Sequence, residues 1–106
     1  MAEKFVQSKL TASKVTVFEK ISCPYCARAK QILQKYKIKQ GHLEFINIAS
    51  LDIVSSVQDY LLQITGERTV PRIFIGENSI GGCSDLVPLA DSGELDKMLV
   101  AIGALE

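Results

Sequence analysis

The chain has 106 residues, which is a typical length for one domain, and 47% of them are hydrophobic, enough for a core without disulfide staples. Twelve basic and twelve acidic residues give a formal net charge of zero, which argues against a nucleic-acid binder that depends on bulk positive charge. Met1–Phe5 does not resemble a secretory leader and no apolar run reaches the roughly 18 residues of a membrane helix, so we expect neither secretion nor membrane insertion.

The apolar pattern predicts nine elements in the order α-β-α-β-α-β-β-α-α. In chain order they are a helix at 2–10, a strand at 15–18, a helix at 24–37, a strand at 43–48, a helix at 52–65, strands at 73–75 and 79–81, a helix from about 85 and a last helix after 92. The strand–helix–strand unit at the start implies a right-handed parallel crossover, whose ligands usually lie at the carboxyl ends of the strands. We therefore predict a single α/β domain over residues 1–106, with a four-stranded mixed sheet between helices in three layers.

Three details of the second half concern helix ends. Gly81 and Gly82 break the fourth strand, and Cys83 or Ser84 can cap the helix that follows. Pro88 is expected in the first turn of that helix or just beyond it, where it removes one backbone hydrogen bond. Ser92 is predicted to cap the N-terminus of the last helix.

The most informative stretch is Cys23-Pro24-Tyr25-Cys26, which follows the first strand and opens the second helix. Proline suits the first helical position, so Cys23 is predicted at the N-cap and Cys26 one turn later on the same side. Small adjustments of a first helical turn bring two such side chains to disulfide distance. Since helix N-termini favour thiolates, Cys23 is the expected exposed nucleophile and Cys26 the buried resolving thiol.

Other interpretations of the cysteines remain open at this point. Half of a zinc site would need two more ligands, for which the remaining candidates are Cys83 and the lone His42. Two coincidental core cysteines are a further possibility, although Pro24 at a helix start argues against coincidence. A redox-inert interaction domain is another, which an unreactive Cys23 at neutral pH would support. Three cysteines in an otherwise unstapled chain indicate a reducing compartment, and we expect a cytoplasmic protein.

A second set of residues is expected at the same end of the sheet as Cys23. Val70-Pro71 precedes the third strand, where a cis bond would leave the Val70 backbone free to pair with an extended peptide, although sequence alone does not establish the isomer. Lys20, with Arg68-Thr69, places cations nearby.

The helix start after the fourth strand completes this set. The N-terminus at Gly82-Cys83-Ser84 can hold a carboxylate, and Asp85 can hold an ammonium group. A ligand with carboxylates, an ammonium and a thiol would match all of these groups.

Together the motifs identify a resemblance to a known family. Cys23-Pro24-Tyr25-Cys26, Thr69-Val70-Pro71 and Gly81-Gly82-Cys83-Ser84-Asp85, in this order, resemble the dithiol glutaredoxins over nearly the whole chain. A thioredoxin typically has Trp-Cys-Gly-Pro-Cys, and this chain contains no tryptophan. The resemblance implies a thioredoxin-like fold, a cis Pro71 and glutathione as the partner.

The resemblance also implies roles for individual residues. Lys20 and Gln58 would bind the glycine end of glutathione with Arg68 and Thr69 close by, Tyr25 would flank the tripeptide, and Val70 beside Pro71 would pair with its cysteine. The γ-glutamyl end would be held by Gly82, Cys83, Ser84 and Asp85.

The implied activity is glutathione-dependent thiol–disulfide exchange on glutathionylated and disulfide-bearing proteins. No tightly bound cofactor or metal is expected, NADPH acts only indirectly through glutathione reductase, and a monomer without nucleic-acid or membrane partners is predicted. A rival from another class is an iron–sulfur module built from Cys23 of two chains and two glutathiones. Pro24 argues against it, because family members that bind clusters usually have Gly or Ser at that position.

Overall fold

The computed structural model describes all residues from Met1 to Glu106. It contains five helices and four strands in the predicted order. They are α1 (Ala2–Lys9), β1 (Val15–Glu19), α2 (Pro24–Gln34), β2 (Leu43–Asn47), α3 (Val54–Thr65), β3 (Arg72–Ile75), β4 (Asn78–Gly81), α4 (Cys83–Asp91) and α5 (Glu94–Ala101).

The sheet has the strand order β2-β1-β3-β4, so the apolar first strand lies in its interior. β1 is parallel to β2 and antiparallel to β3, with Phe18 opposite Arg72. The carboxyl end of β1 and the amino end of β3 therefore meet at one edge. The end of β4 lies at the same edge, because Gly81 pairs with Ile73. This topology gathers the three loops that carry the predicted motifs.

Two hydrophobic clusters cover the two faces of the sheet. One joins Val15, Val17 and Ile73 to the inner faces of α2, α4 and α5. The other contains Phe18 and Phe74, whose rings meet edge to face with centroids 5.8 Å apart, and is covered by α1 and α3. The alternation of side chains along β1 explains this division, since successive residues of a strand point to opposite faces.

The predicted three-layer α/β fold with a four-stranded mixed sheet is confirmed, and the differences concern helix ends. α2 ends at Gln34 rather than at residue 37, because Lys35 and Tyr36 make tight bonds to carbonyls three residues back and Ile38 then pairs with Leu105. No helix is both long and apolar enough to span a bilayer.

The start of α4 also differs from the prediction. Its N-cap is Gly82, not Cys83 or Ser84, and the Asp85 carboxylate accepts a hydrogen bond from the Gly82 N–H at 2.9 Å. Pro88 lies deeper in the helix than its first turn, and because it has no N–H it leaves the Ser84 carbonyl without the usual helical partner. The Ser92 hydroxyl accepts from the Glu94 N–H at 3.3 Å, although the N-cap position of α5 belongs to Gly93.

Candidate active site

The first thiol lies where the sequence predicts it. Cys23 is the N-cap of α2 with extended backbone, and Pro24 begins the helix. The Cys23 Sγ accepts a hydrogen bond from the Cys26 N–H at 3.3 Å, so the sulfur satisfies one of the free donors of the first turn. Hydrogen bonds of this kind, together with the helix dipole, stabilise a negative charge on sulfur. The side chain is half-buried and remains accessible to a substrate.

The second thiol occupies a different environment. Cys26 is only 1% exposed, and its pKa is raised to about 12, mainly by burial and also by the hydrogen bond with Cys23, against a smaller opposing effect of the Lys20 backbone. At neutral pH Cys26 is therefore a protonated, sheltered thiol. Both cysteines are in the thiol form, one turn apart. The pair thus combines an accessible nucleophile with a resolving group that reacts only from within the protein.

The cis-proline loop lies against the first thiol. The Val70–Pro71 bond is cis, and the Cys23 thiol donates to the Val70 carbonyl at a distance of 3.7 Å. No backbone hydrogen bond engages the N–H of Val70 or its carbonyl. An extended peptide that contains a cysteine can therefore pair with the Val70 backbone while the sulfur of that cysteine lies beside Cys23.

A groove of about 470 Å³ lies between the cis-proline loop and the start of α4. Seven of the predicted site residues line it, together with one residue that the sequence analysis did not select. The lining residues are Tyr25, Thr69, Val70, Pro71, Arg72, Gly82, Cys83 and Ser84. Tyr25 projects at its rim with 67% of its surface exposed.

Arg72 is the residue that sequence reasoning missed. It is 7% exposed, its Nε donates to the Pro71 carbonyl at 3.2 Å, and no carboxylate lies within ion-pair distance. A Cβ at position 82 would come within 2.7 Å of its Nη2, which explains why glycine fits there. Arg72 thus connects both walls of the groove. An arginine directly after Val70-Pro71, at the start of an otherwise apolar strand, was the available signal.

The start of α4 contributes one wall of this groove. Gly82, Cys83 and Ser84 line it, whereas Asp85 does not, because its carboxylate is turned back to the Gly82 N–H. Burial raises the pKa of Cys83, and the nearby Arg28 cation acts in the opposite direction. The predicted pairing of Asp85 with an ammonium stays a prediction.

The other predicted polar residues form a separate chain of hydrogen bonds beside the same loop. Lys20 Nζ donates to Gln58 Oε1 at 3.3 Å, and Gln58 Nε2 donates to the Arg68 carbonyl at 3.0 Å. The Arg68 guanidinium pairs with Asp59 at 3.0 Å on the exposed face of α3. The structure brings Lys20, Gln58 and Arg68 together, but outside the lining of the groove, and their contact with a ligand stays a prediction.

The zinc interpretation requires a ligand that the fold places elsewhere. His42 precedes β2, and its Nδ1 lies 2.7 Å from the Ser13 carbonyl, in the loop before β1. The two strands are parallel, so His42 is at the opposite end of the sheet from the cysteine pair. It cannot join Cys23 and Cys26 around one metal ion.

A cysteine pair with one sulfur at a helix N-cap, a cis-proline beside it and an open groove on a thioredoxin-like fold define a dithiol–disulfide oxidoreductase. The family model described as Glutaredoxin matches residues 15–80. The human protein Glutaredoxin-1 is 56% identical over 106 residues and covers 100% of both chains, and mouse Glutaredoxin-1 is 51% identical over the same length, covering 100% of this chain and 99% of its own.

Solved structures agree with this assignment. A buckwheat glutaredoxin–glutathione complex superimposes with a TM-score of 0.91 at 33% identity, covering 100% of this chain and 94% of that one. Oxidised glutaredoxin 2 from Chlamydomonas reinhardtii gives 0.89 at 36% identity, with 98% and 95% covered. The chain belongs to the glutaredoxin family, and it is a glutathione-dependent thiol–disulfide oxidoreductase that acts through Cys23 and Cys26.

Proposed function

We propose that the preferred substrates are mixed disulfides between proteins and glutathione, and that Cys23 alone carries their reduction. The Cys23 thiolate attacks the glutathione sulfur, the protein thiolate leaves, and Cys23 becomes joined to glutathione. A second glutathione thiolate then attacks the same glutathione sulfur, which releases Cys23 and forms glutathione disulfide. The net reaction converts the mixed disulfide and one glutathione thiol into a protein thiol and glutathione disulfide.

The observation that carries this proposal is the difference between the two thiols. Cys23 is accessible at a helix N-cap, whereas Cys26 is buried and protonated at neutral pH. External glutathione therefore reaches the mixed disulfide at Cys23 without competition from a standing Cys26 thiolate. Cys26 enters when the substrate is a disulfide within or between proteins, where it must attack Cys23 from inside and displace the target.

The groove supports a specific placement of glutathione. The free Val70 backbone would pair with the glutathione cysteine, and the α4 N-terminus at Cys83 and Ser84 would receive the γ-glutamyl carboxylate. The Lys20–Gln58 pair would meet the glycine carboxylate at the other end. A buckwheat glutaredoxin of the same fold forms a complex with glutathione, which supports glutathione as the ligand of this groove.

The catalytic cycle requires a supply of reduced glutathione. We infer that NADPH enters through glutathione reductase and that the protein acts in the cytoplasm, where glutathione keeps thiols reduced. Glutaredoxin potentials of about −200 to −230 mV allow the glutathione pool to reduce the oxidised pair. The single-chain reaction above requires no second subunit, so a monomer is sufficient.

The test is turnover of a glutathionylated peptide, coupled to glutathione, glutathione reductase and NADPH. We expect robust activity for wild type and Cys26→Ser and none for Cys23→Ser. Reduction of a protein disulfide should require both cysteines. Equal loss of deglutathionylation in both variants would contradict the monothiol route, and activity in neither wild type nor Cys26→Ser would overturn the proposal.

A further inference from the structure

A buried carboxylate lies beneath the cysteine pair and has no part in the mechanism above. Glu19 is the last residue of β1 and only 7% exposed. By the alternation of the strand it lies on the same face as Val15 and Val17, which is the face that α2 covers. A carboxylate in such a position is costly unless it has a partner.

The partner comes from the helix that carries the thiols. Lys30 Nζ lies 3.4 Å from Glu19 Oε2 and 4.7 Å from the centre of the Phe45 ring, so the ammonium is held between a carboxylate and an aromatic face. Lys30 follows Cys26 by one helical turn and lies on the same side of α2. The ion pair and the resolving thiol therefore lie along one strip between α2 and the end of β1, in which Cys26 and Glu19 are buried and the Lys30 side chain is 39% exposed.

The buried Glu19 charge is screened by water less than an exposed charge would be, so it reaches the neighbouring sulfur. The Glu19 carboxylate disfavours the thiolate form of Cys26, although by less than burial and the Cys23 contact do. The Lys30 ammonium lies 3.4 Å from that carboxylate, so its positive charge acts against the negative charge of Glu19. The other groups that act on Cys26 are Cys23 and the Lys20 backbone. From β2, the residues beside Glu19 are Asn47 and the ring of Phe45, which carry no charge.

We propose that Glu19 and Lys30 are positioning residues that set the rate at which Cys26 resolves a mixed disulfide on Cys23. In that step the Cys26 sulfur, after losing its proton to solvent, bonds to the Cys23 sulfur. The bond between Cys23 and its glutathione or protein partner breaks, and the partner leaves as a thiolate that takes up a proton. A negative charge beneath Cys26 slows this step and leaves the mixed disulfide to external glutathione.

This inference rests on the proposed exchange function and deepens it, because it assigns a control over the choice between the monothiol and dithiol routes. It predicts that removing either charge of the ion pair changes the rate of resolution by Cys26, and that the two changes are opposite in direction. Glu19→Gln keeps the size of the side chain and removes the negative charge. Lys30→Gln removes the counter-charge and leaves the carboxylate alone.

The experiment is a rapid-mixing reaction of the reduced protein with glutathione disulfide in the absence of added glutathione. Acid quenching and intact mass measurement separate the glutathionylated protein from the intramolecular disulfide at each time. We expect resolution about three- to tenfold faster than wild type in Glu19→Gln and slower by a similar factor in Lys30→Gln. The rate of resolution in the double variant should lie between the rates of the two single variants.

Controls separate this electrostatic role from a structural one. Lys35→Gln removes an exposed charge from the end of the same helix and should leave resolution unchanged. In a Cys26→Ser background, Glu19→Gln should alter turnover of a glutathionylated peptide less than twofold. The pH at which resolution reaches half its maximum should fall in Glu19→Gln, which a packing defect would not produce.

Four results would overturn the proposal. One is resolution within twofold of wild type in both single variants, and another is slowing in both, which would indicate packing damage. If Glu19→Gln does not fold, Lys30→Gln decides alone, and an unchanged or faster step there contradicts the inference. A wild-type protein that forms no intramolecular disulfide at all would instead refute the dithiol route, and the inference with it, while leaving the monothiol activity intact.

Discussion

The strongest quantitative prediction concerns the reactivity of Cys26 in a chain that has no other cysteine, the variant Cys23→Ser with Cys83→Ser. A thiol with the ordinary pKa of 9.0 is about 1% thiolate at pH 7, whereas a pKa of about 12 leaves about 0.001%. Since only the thiolate reacts, alkylation should slow by about 1000-fold from this cause. Burial is the largest cause and remains in the variant, so we expect a reduction of about 100- to 1000-fold.

The assay is alkylation by iodoacetamide, followed by mass spectrometry, for the folded variant and for the same variant unfolded in urea. A simple block of access would slow the folded protein by the same factor at every pH. A raised pKa makes a different prediction: the ratio of unfolded to folded rates should be constant near pH 7 and decrease by almost tenfold per pH unit above pH 9.

Two results would refute this reasoning. A folded rate within tenfold of the unfolded rate at pH 7 would mean that Cys26 is neither buried nor protonated as described. A ratio that does not change between pH 7 and pH 10.5 would mean that access alone, and not the pKa, protects the thiol. Circular dichroism over the same range would show that the variant remains folded.

Three further predictions follow from burial and charge. Arg72→Met should raise the KM for glutathione about tenfold, because it removes a cation that lines the groove. Thermal stability should change little, because no buried charge is left without a partner. An unchanged KM would exclude a role of this guanidinium in binding. Leu61→Ala should reduce the free energy of unfolding in urea by about 3–5 kcal/mol, and the exposed neighbour Leu62→Ala by less than about 1 kcal/mol. The free energy of unfolding should decrease as pH rises from about 9 towards 12, since the folded state keeps the Cys26 proton that the unfolded chain loses. In denaturation curves at several pH values, Cys26→Ala should reduce this decrease by up to about 1.4 kcal/mol per pH unit.

Local sequence signals were sufficient for the fold and for the reactive pair. The β-branched run at Val15–Phe18 and the apolar stripes of the helices determine which faces are buried, so the order of elements followed from periodicity alone. Pro24 indicates the start of α2, and with it the N-cap position of Cys23. These features depend on neighbours within one or two helical turns, which a sequence displays directly.

The parts that sequence could not supply depend on contacts between distant elements. Glu19 ends a strand and would ordinarily be expected to face solvent; its burial depends on Lys30 from another element. Arg72 likewise begins a strand, and only the approach of Gly82 across the sheet encloses it. α2 ends early because Ile38 pairs with Leu105 near the far end of the chain. No local pattern contains any of these partners.

The charge of the active site illustrates the same difference between composition and arrangement. The chain as a whole is neutral, yet the sheet edge that bears Cys23 collects Lys20, Arg68 and Arg72 together with the N-termini of α2 and α4. Carboxylates offset part of this charge, since Asp59 pairs with Arg68 and Asp85 lies at the start of α4. Lys20 and Arg72 make no ion pair, and their charge acts over about a Debye length of 8–10 Å. A small ligand that carries carboxylates beside its thiol experiences this field along its whole length. A large protein substrate experiences it only where the two surfaces meet, which supports the proposed preference for the glutathione part of a mixed disulfide.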